Sequence, residues 1–149
     1  MSGTASGTVT APVQRCLELL EAIDGYPRWH PEVVRSVVVL ERSEQGAPTK
    51  ARATLHASLG PFTKDLELEL AVQVQAPGTV KLTRLSGGAS DGEGFEAVWH
   101  VHEQGKTRIE LALNASLDVP RLIPVRGLGD AMAADFVAAA TRALAPQRR

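Results

Sequence analysis

Cysteine is almost missing from this chain. Cys16 is the only one in 149 residues, which excludes an internal disulfide framework and a thiolate-based zinc site. A surplus of either charge is missing too. Sixteen Lys and Arg stand against seventeen Asp and Glu, a formal net charge of -1. Nucleic-acid affinity rests on an excess of cations, so no nucleic-acid partner is expected. No apolar run approaches the ~20 residues that span a bilayer. The opening MSGTASGTVTAP has neither the basic nor the apolar region of a signal peptide. A cytoplasmic protein without stable membrane insertion is the expectation. Aromatics make up only 4%, so Trp29 and Trp99 carry more information than usual. What is present, 44% hydrophobic and 22% charged residues, has the size and balance of one domain that buries its own core.

Periodicity divides the chain into helical ends and an alternating middle. The small, polar first residues permit at best a weak edge strand, around Ala5 to Val9. Thr10 is a candidate N-cap before Pro12. Val13, Cys16, Leu17, Leu20 and Ile23 then form one apolar stripe at helical spacing. Asp24-Gly25 ends that helix, with Gly25 suited to a left-handed C′ position. In Tyr26-Pro27-Arg28-Trp29-His30-Pro31 two prolines leave room only for a short helix or turn. From Arg35 the period becomes twofold. Strands are expected at Val37–Leu40, Thr49–Leu59, Thr63–Val74, Thr79–Ser86, Phe95–His102 and Thr107–Leu117, separated by short turns and the glycine-rich loop Gly87–Gly94. Strict alternation with short turns means antiparallel hairpins with one apolar face. After an irregular stretch, Gly127 precedes a closing helix from about Leu128 to Leu144, with Leu128, Met132, Phe136, Ala139 and Ala143 on one side.

The order of these elements resembles the START-like, helix-grip (SRPBCC) superfamily, and within it the polyketide cyclase/dehydrase and lipid-transport branch. The likeness runs from about Val9 to Leu144. Its most specific piece is Ile23-Asp24-Gly25-Tyr26-Pro27-Arg28-Trp29-His30-Pro31-Glu32-Val33, followed by Val37-Val38-Val39-Leu40. It is similar to the family's D-x-x-Y-P-x-W motif and valine-rich strand, with one residue fewer after Asp24. The resemblance implies an α+β fold, a curved antiparallel sheet wrapped around a long C-terminal helix, with two short helices after the first strand. It covers the chain as a single ligand-binding domain, ordered over about residues 5–145. It also implies a cavity between sheet and helix, and a tryptophan, here Trp29, near its mouth.

The alternating phase reaches a compatible picture independently. The apolar face carries Ala51, Ala53, Leu55, Ala57, Leu66, Leu68, Leu70, Val72, Val80, Leu82, Phe95, Ala97, Trp99, Val101, Ile109, Leu111 and Leu113. Many of these are small, and the facing helix is mostly alanine. Ordinary packing density would require larger side chains on one surface. An apolar ligand cavity resolves the shortfall, and the alternative is a sheet that bends tightly and closes on the helix. The expected ligand contacts are Trp29, Leu55, Leu68, Leu82, Arg84, Phe95, Trp99, Leu111, Met132 and Phe136. Arg84 continues the inward phase of Val80 and Leu82. Desolvating a guanidinium costs several kcal/mol unless it is paired. Its partner is Glu41, if that strand keeps Val37 and Val39 inward, or a ligand oxygen; otherwise the side chain snorkels to solvent.

Two functions follow from different classes. One is a binding protein for a hydrophobic small molecule such as a lipid, isoprenoid or polyketide, in one of whose pathways it would serve. The other is an aromatase/cyclase-like enzyme, for which Arg84, His30 and Tyr26 are the only catalytic candidates. Neither requires a cofactor. His100 and His102 share a strand face at a chelating i, i+2 spacing, but outward and without converging ligands, so no metal is expected. Stripping with a strong chelator should therefore leave the thermal midpoint in place, because no closed ligand set couples metal to folding. A drop of several degrees would make these histidines ligands.

Overall fold

A computed structural model describes residues 2–59, 62–75, 77–85, 94–116 and 127–145. The elements are β1 (Ser2–Val9), α1 (Val13–Glu21), a 3₁₀ turn (Ile23–Gly25), α2 (Tyr26–Trp29), β2 (Val34–Arg42), β3 (Pro48–Leu59), β4 (Phe62–Gln75), β5 (Thr79–Arg84), β6 (Gly94–Gln104), β7 (Lys106–Ser116) and α3 (Leu128–Leu144). The strands form one antiparallel sheet in the order β1-β7-β6-β5-β4-β3-β2. Strands β2 to β7 are a plain meander. The first strand leaves them and pairs with the last, so the two edges are neighbours in sequence, joined by α1, the 3₁₀ turn and α2. The sheet is curved and unclosed, with α3 against its inner face, an α+β helix-grip arrangement.

The twofold pattern orients the strands as expected. Ala51, Ala53, Leu55, Leu66, Leu68, Leu70, Val80, Leu82, Ala97, Trp99, Ile109, Leu111 and Leu113 are all buried. The expected loop at residues 87–93 and the stretch from 117 to 126 lie outside the described residues, as does Ser86.

Five local expectations need correcting. The first strand is not weak: eight consecutive residues, Ser2 to Val9, pair with Asn114 to Thr107. Its poverty in large side chains has a packing cause. A Cβ on Gly3 would collide with the backbone of Gly129, and one on Gly7 would lie 3.1 Å from side-chain carbons of Val137 and Thr141. Small residues let α3 lie directly on β1. The Thr4 amide also donates to the Asp130 carboxylate in the first turn of α3, at 3.0 Å.

This approach rotates α3. The buried stripe is Ala133, Phe136, Val137, Ala140 and Leu144 together with Ala139, whereas Leu128, Met132 and Ala143 are only half-buried. Residues facing β1 are covered, and those one position back along the helix lose cover. At α1, Pro12 rather than Thr10 occupies the N-cap, and no side chain caps the helix. Gly25 is right-handed with φ -89 inside the 3₁₀ turn, because that turn carries the chain directly into α2. In β2, register shifts on either side of Glu41 break the alternation, and such a bulge re-aims the strand. Glu41 is exposed, which removes it as an inward partner for Arg84.

The helix-on-strand contact is testable by adding one carbon. Gly3→Ala should destabilise the protein by about 1–3 kcal/mol, since only backbone movement relieves the clash. Gly7→Ala, which meets side chains able to yield and stiffens the unfolded chain, should stay within about 1 kcal/mol of wild type. Urea unfolding of both variants measures the contrast.

Candidate functional site

The inner face of the sheet, α2 and α3 meet around an apolar void. The turn and α2 contribute Ile23 and Tyr26, and β2 and β3 contribute Val34, Ala53 and Leu55. Leu70 and Leu82 come from β4 and β5, Phe95, Ala97, Trp99, Leu111 and Leu113 from β6 and β7, and Phe136 from α3. The void measures about 20 Å³. That is room for one water, not for a ligand. The shortfall of volume expected from the alanines is made up from an unexpected direction. Ile23 and Tyr26 descend from the segment joining the sheet's two edges and fill the space opposite Ala53 and Ala97.

Of the ten expected ligand contacts, Leu55, Leu82, Phe95, Trp99, Leu111 and Phe136 lie on this void, and Trp29, Leu68, Arg84 and Met132 do not. Leu68 is core, Met132 packs on the core's margin, and Arg84 is half-buried at the end of β5, opposite Leu70. Ile23 and Val34 line the void without having been expected there. Ile23 was assigned to the α1 stripe, and Val34 stands just ahead of the valine run that signalled β2.

The two polar tips on the lining satisfy each other. The Tyr26 hydroxyl donates to the Leu20 carbonyl at 2.6 Å and accepts from the Trp99 indole N–H. Burial pushes the phenol well up, and the Trp99 hydrogen bond offsets this only in part. The Tyr26 hydroxyl is thus protonated and engaged on both sides.

Immediately outside lies a different situation. Trp29 leans on Tyr26 with ring centroids 4.6 Å apart, and His30 meets Phe136 edge-on at 4.4 Å. Trp29 and His30 are near-parallel, 18° between planes and 6.2 Å between centroids. Two buried nitrogens here, Trp29 Nε1 and His30 Nε2, have no hydrogen-bond partner among the described residues. His30 as a whole is 3% exposed. Burial pushes its imidazole below the ordinary value of 6.5. The charges of Asp135 and Glu32 pull the other way, and Arg142 adds to the depression.

The remaining histidines sit elsewhere. His100 Nδ1 is 3.2 Å from the Thr79 hydroxyl, and His102 Nε2 is 3.6 Å from Glu110, on the outer face of the sheet. His56 Nδ1 is 2.6 Å from Asp65. No group of three or more potential metal ligands converges among the described residues. No helix among them is long and apolar enough to cross a membrane.

Comparison with known proteins agrees with this architecture. Residues 2–146 match the family described as polyketide cyclase / dehydrase and lipid transport. The chain belongs to that family. No curated protein matches at a significant level. Among solved structures, a START superfamily protein from Mycobacterium smegmatis is similar with a TM-score of 0.76 and 17% identity, over 96% of each chain. The lipid transfer and protein localization domain of human StarD13 has a TM-score of 0.62 and 17% identity, over 97% of this chain and 77% of that one. The di-domain ARO/CYC BexL from the BE-7585A biosynthetic pathway has a TM-score of 0.64 and 14% identity, over 100% of this chain and 51% of that one. Likeness at such identities establishes the shared fold.

The His30 environment has a consequence for stability. Below pH 6.5 the unfolded chain takes up a proton on this imidazole that the folded protein resists. Acid therefore favours unfolding, and the stability that neutral His30 contributes is lost as pH falls from there through its folded value. His30→Phe keeps a ring against Phe136 and removes the titration. Its stability should fall less steeply than that of wild type between about pH 7 and pH 5, read from urea midpoints. An identical slope would show that His30 titrates normally.

Proposed function

We propose that this protein binds a hydrophobic small molecule, a lipid, isoprenoid or polyketide, between the inner face of the sheet and α3. The observation that carries this reading is the void itself. It is lined by apolar side chains, including four aromatic residues from three different elements, at the junction of sheet, α2 and α3. On this reading, the void of about 20 Å³ is the site in its closed form. A ligand would enter by displacing aromatic side chains, exchanging their contacts with one another for contacts with itself. The family's description and the lipid-transfer name of the human StarD13 domain support a carrier role by analogy.

The cyclase alternative draws support from the family description and from the likeness to BexL. Such chemistry needs a positioned proton donor or acceptor and a group that stabilises an enolate. Tyr26 is committed to Leu20 and Trp99, and Arg84 stands off the void. Binding without turnover is the reading that fits these residues better. Arg84 then acts only on ligands long enough to run from the void to the end of β5.

Hydrophobic ligands should quench or shift tryptophan emission saturably, since Trp99 lines the void and Trp29 touches it through Tyr26. A panel of fatty acids, quinones and polycyclic aromatics that leaves the emission unchanged would overturn the proposal. Arg84→Leu should weaken long ligands ending in a carboxylate or enolisable ketone by ~1.5–3 kcal/mol, the scale of a charge-assisted hydrogen bond, while sparing hydrocarbons.

A further inference from the structure

Trp29 Nε1 and His30 Nε2 are the only buried side-chain nitrogens or oxygens without a partner among the described residues. Leaving one such group unsatisfied costs about 1–3 kcal/mol, and here two of them belong to consecutive residues. Their position is specific. Trp29 packs on Tyr26 and His30 on Phe136, and those two aromatics line the void. The unpartnered pair therefore lies one side chain away from the apolar site, at the seam between α2 and α3. Resting on the binding function proposed above, we infer that this pair is the polar subsite of the ligand site and takes an uncharged oxygen, a hydroxyl or carbonyl, at the end of an apolar body.

The chemistry of the two atoms sets that class. An indole N–H only donates, so the ligand atom on it must accept. A neutral imidazole nitrogen accepts in one tautomer and donates in the other. A hydroxyl suits either atom, accepting from Trp29 or donating to His30. A carbonyl oxygen accepts from the Trp29 N–H, and from His30 when Nε2 carries the proton. A carboxylate could accept the same hydrogen bonds, but it brings a charge that the surroundings disfavour. The imidazole is held neutral by burial, and the carboxylates of Asp135 and Glu32 bias the surroundings against an anion, only partly offset by Arg142. The near-parallel rings, 6.2 Å apart, and their aromatic neighbours leave the remainder of the ligand in apolar company.

Decan-1-ol, decanoate and decane share one chain and differ only in the head, which makes them suitable probes. Binding is followed through tryptophan emission in wild type, Trp29→Phe and His30→Phe. In Trp29→Phe, Trp99 is the sole tryptophan remaining of the two. Each substitution should weaken decan-1-ol about five- to tenfold and leave decane and decanoate within about twofold, as expected for loss of one hydrogen bond. In wild type, the ¹⁵N resonance of His30 Nε2 should shift on adding decan-1-ol and stay put with decane, a readout that does not depend on the variants folding. Equal losses for all three probes, or none for decan-1-ol, together with an unmoved Nε2 resonance, would overturn the polar subsite and leave the binding function standing. Failure of all three probes to bind wild type would overturn both.

Discussion

Two backbones meet where β1 passes under the start of α3, and the whole arrangement hangs on that approach. Gly3 and Gly129 lie so close that neither position has room for a Cβ. The Thr4 amide, which as an edge-strand donor would otherwise face solvent, is taken up by Asp130. One contact thus fixes the height of α3 above the sheet, its rotation and the protection of one sheet edge. The rotation decides what α3 offers to the interior, namely Phe136 with a floor of Ala133 and Ala140. Phe136 in turn closes the void from one side and braces His30 from the other.

The strands were legible because their signal is local. Alternation of Leu66, Leu68 and Leu70 with Asp65, Glu67 and Glu69 needs no knowledge of neighbours to show which face is inside. The first strand was underrated for the opposite reason. Gly3 and Gly7 weaken any strand considered alone, and their use appears only when a helix more than a hundred residues later packs against them. The same non-local fact turned the α3 stripe toward Val137 and Ala140. The bulge that put Glu41 in solvent left no mark in the sequence, where Val37, Val38, Val39 and Leu40 read as uninterrupted strand.

Legibility of the site was divided along the same line. Leu55, Leu82, Phe95, Trp99, Leu111 and Phe136 surround the void because phase places them on the inner face. How much room remains there is a three-dimensional sum, and it came out small because Tyr26 and Ile23 enter from the segment that crosses between the sheet's edges. The state of individual polar atoms is equally invisible in sequence. Tyr26 and His30 are four residues apart and were equal as candidates. The fold gives one both a donor and an acceptor, and leaves a ring nitrogen of the other without a partner among the described residues.

The pairing of the first strand with the last carries a consequence for biogenesis. Ser2 to Val9 leave the ribosome long before their partners Thr107 to Asn114 and the helix that covers them. Until β7 emerges, β1 has no ladder to join. The meander from β2 to β7 can pair strand by strand as it emerges, but its β7 edge stays open until β1 docks. Closing so long a loop is a slow step in folding, and an open edge is a site of association between nascent chains. The small, polar make-up of β1 therefore serves before the fold exists as well as after. A waiting segment of Gly, Ser and Thr offers little for other unfolded chains to adhere to.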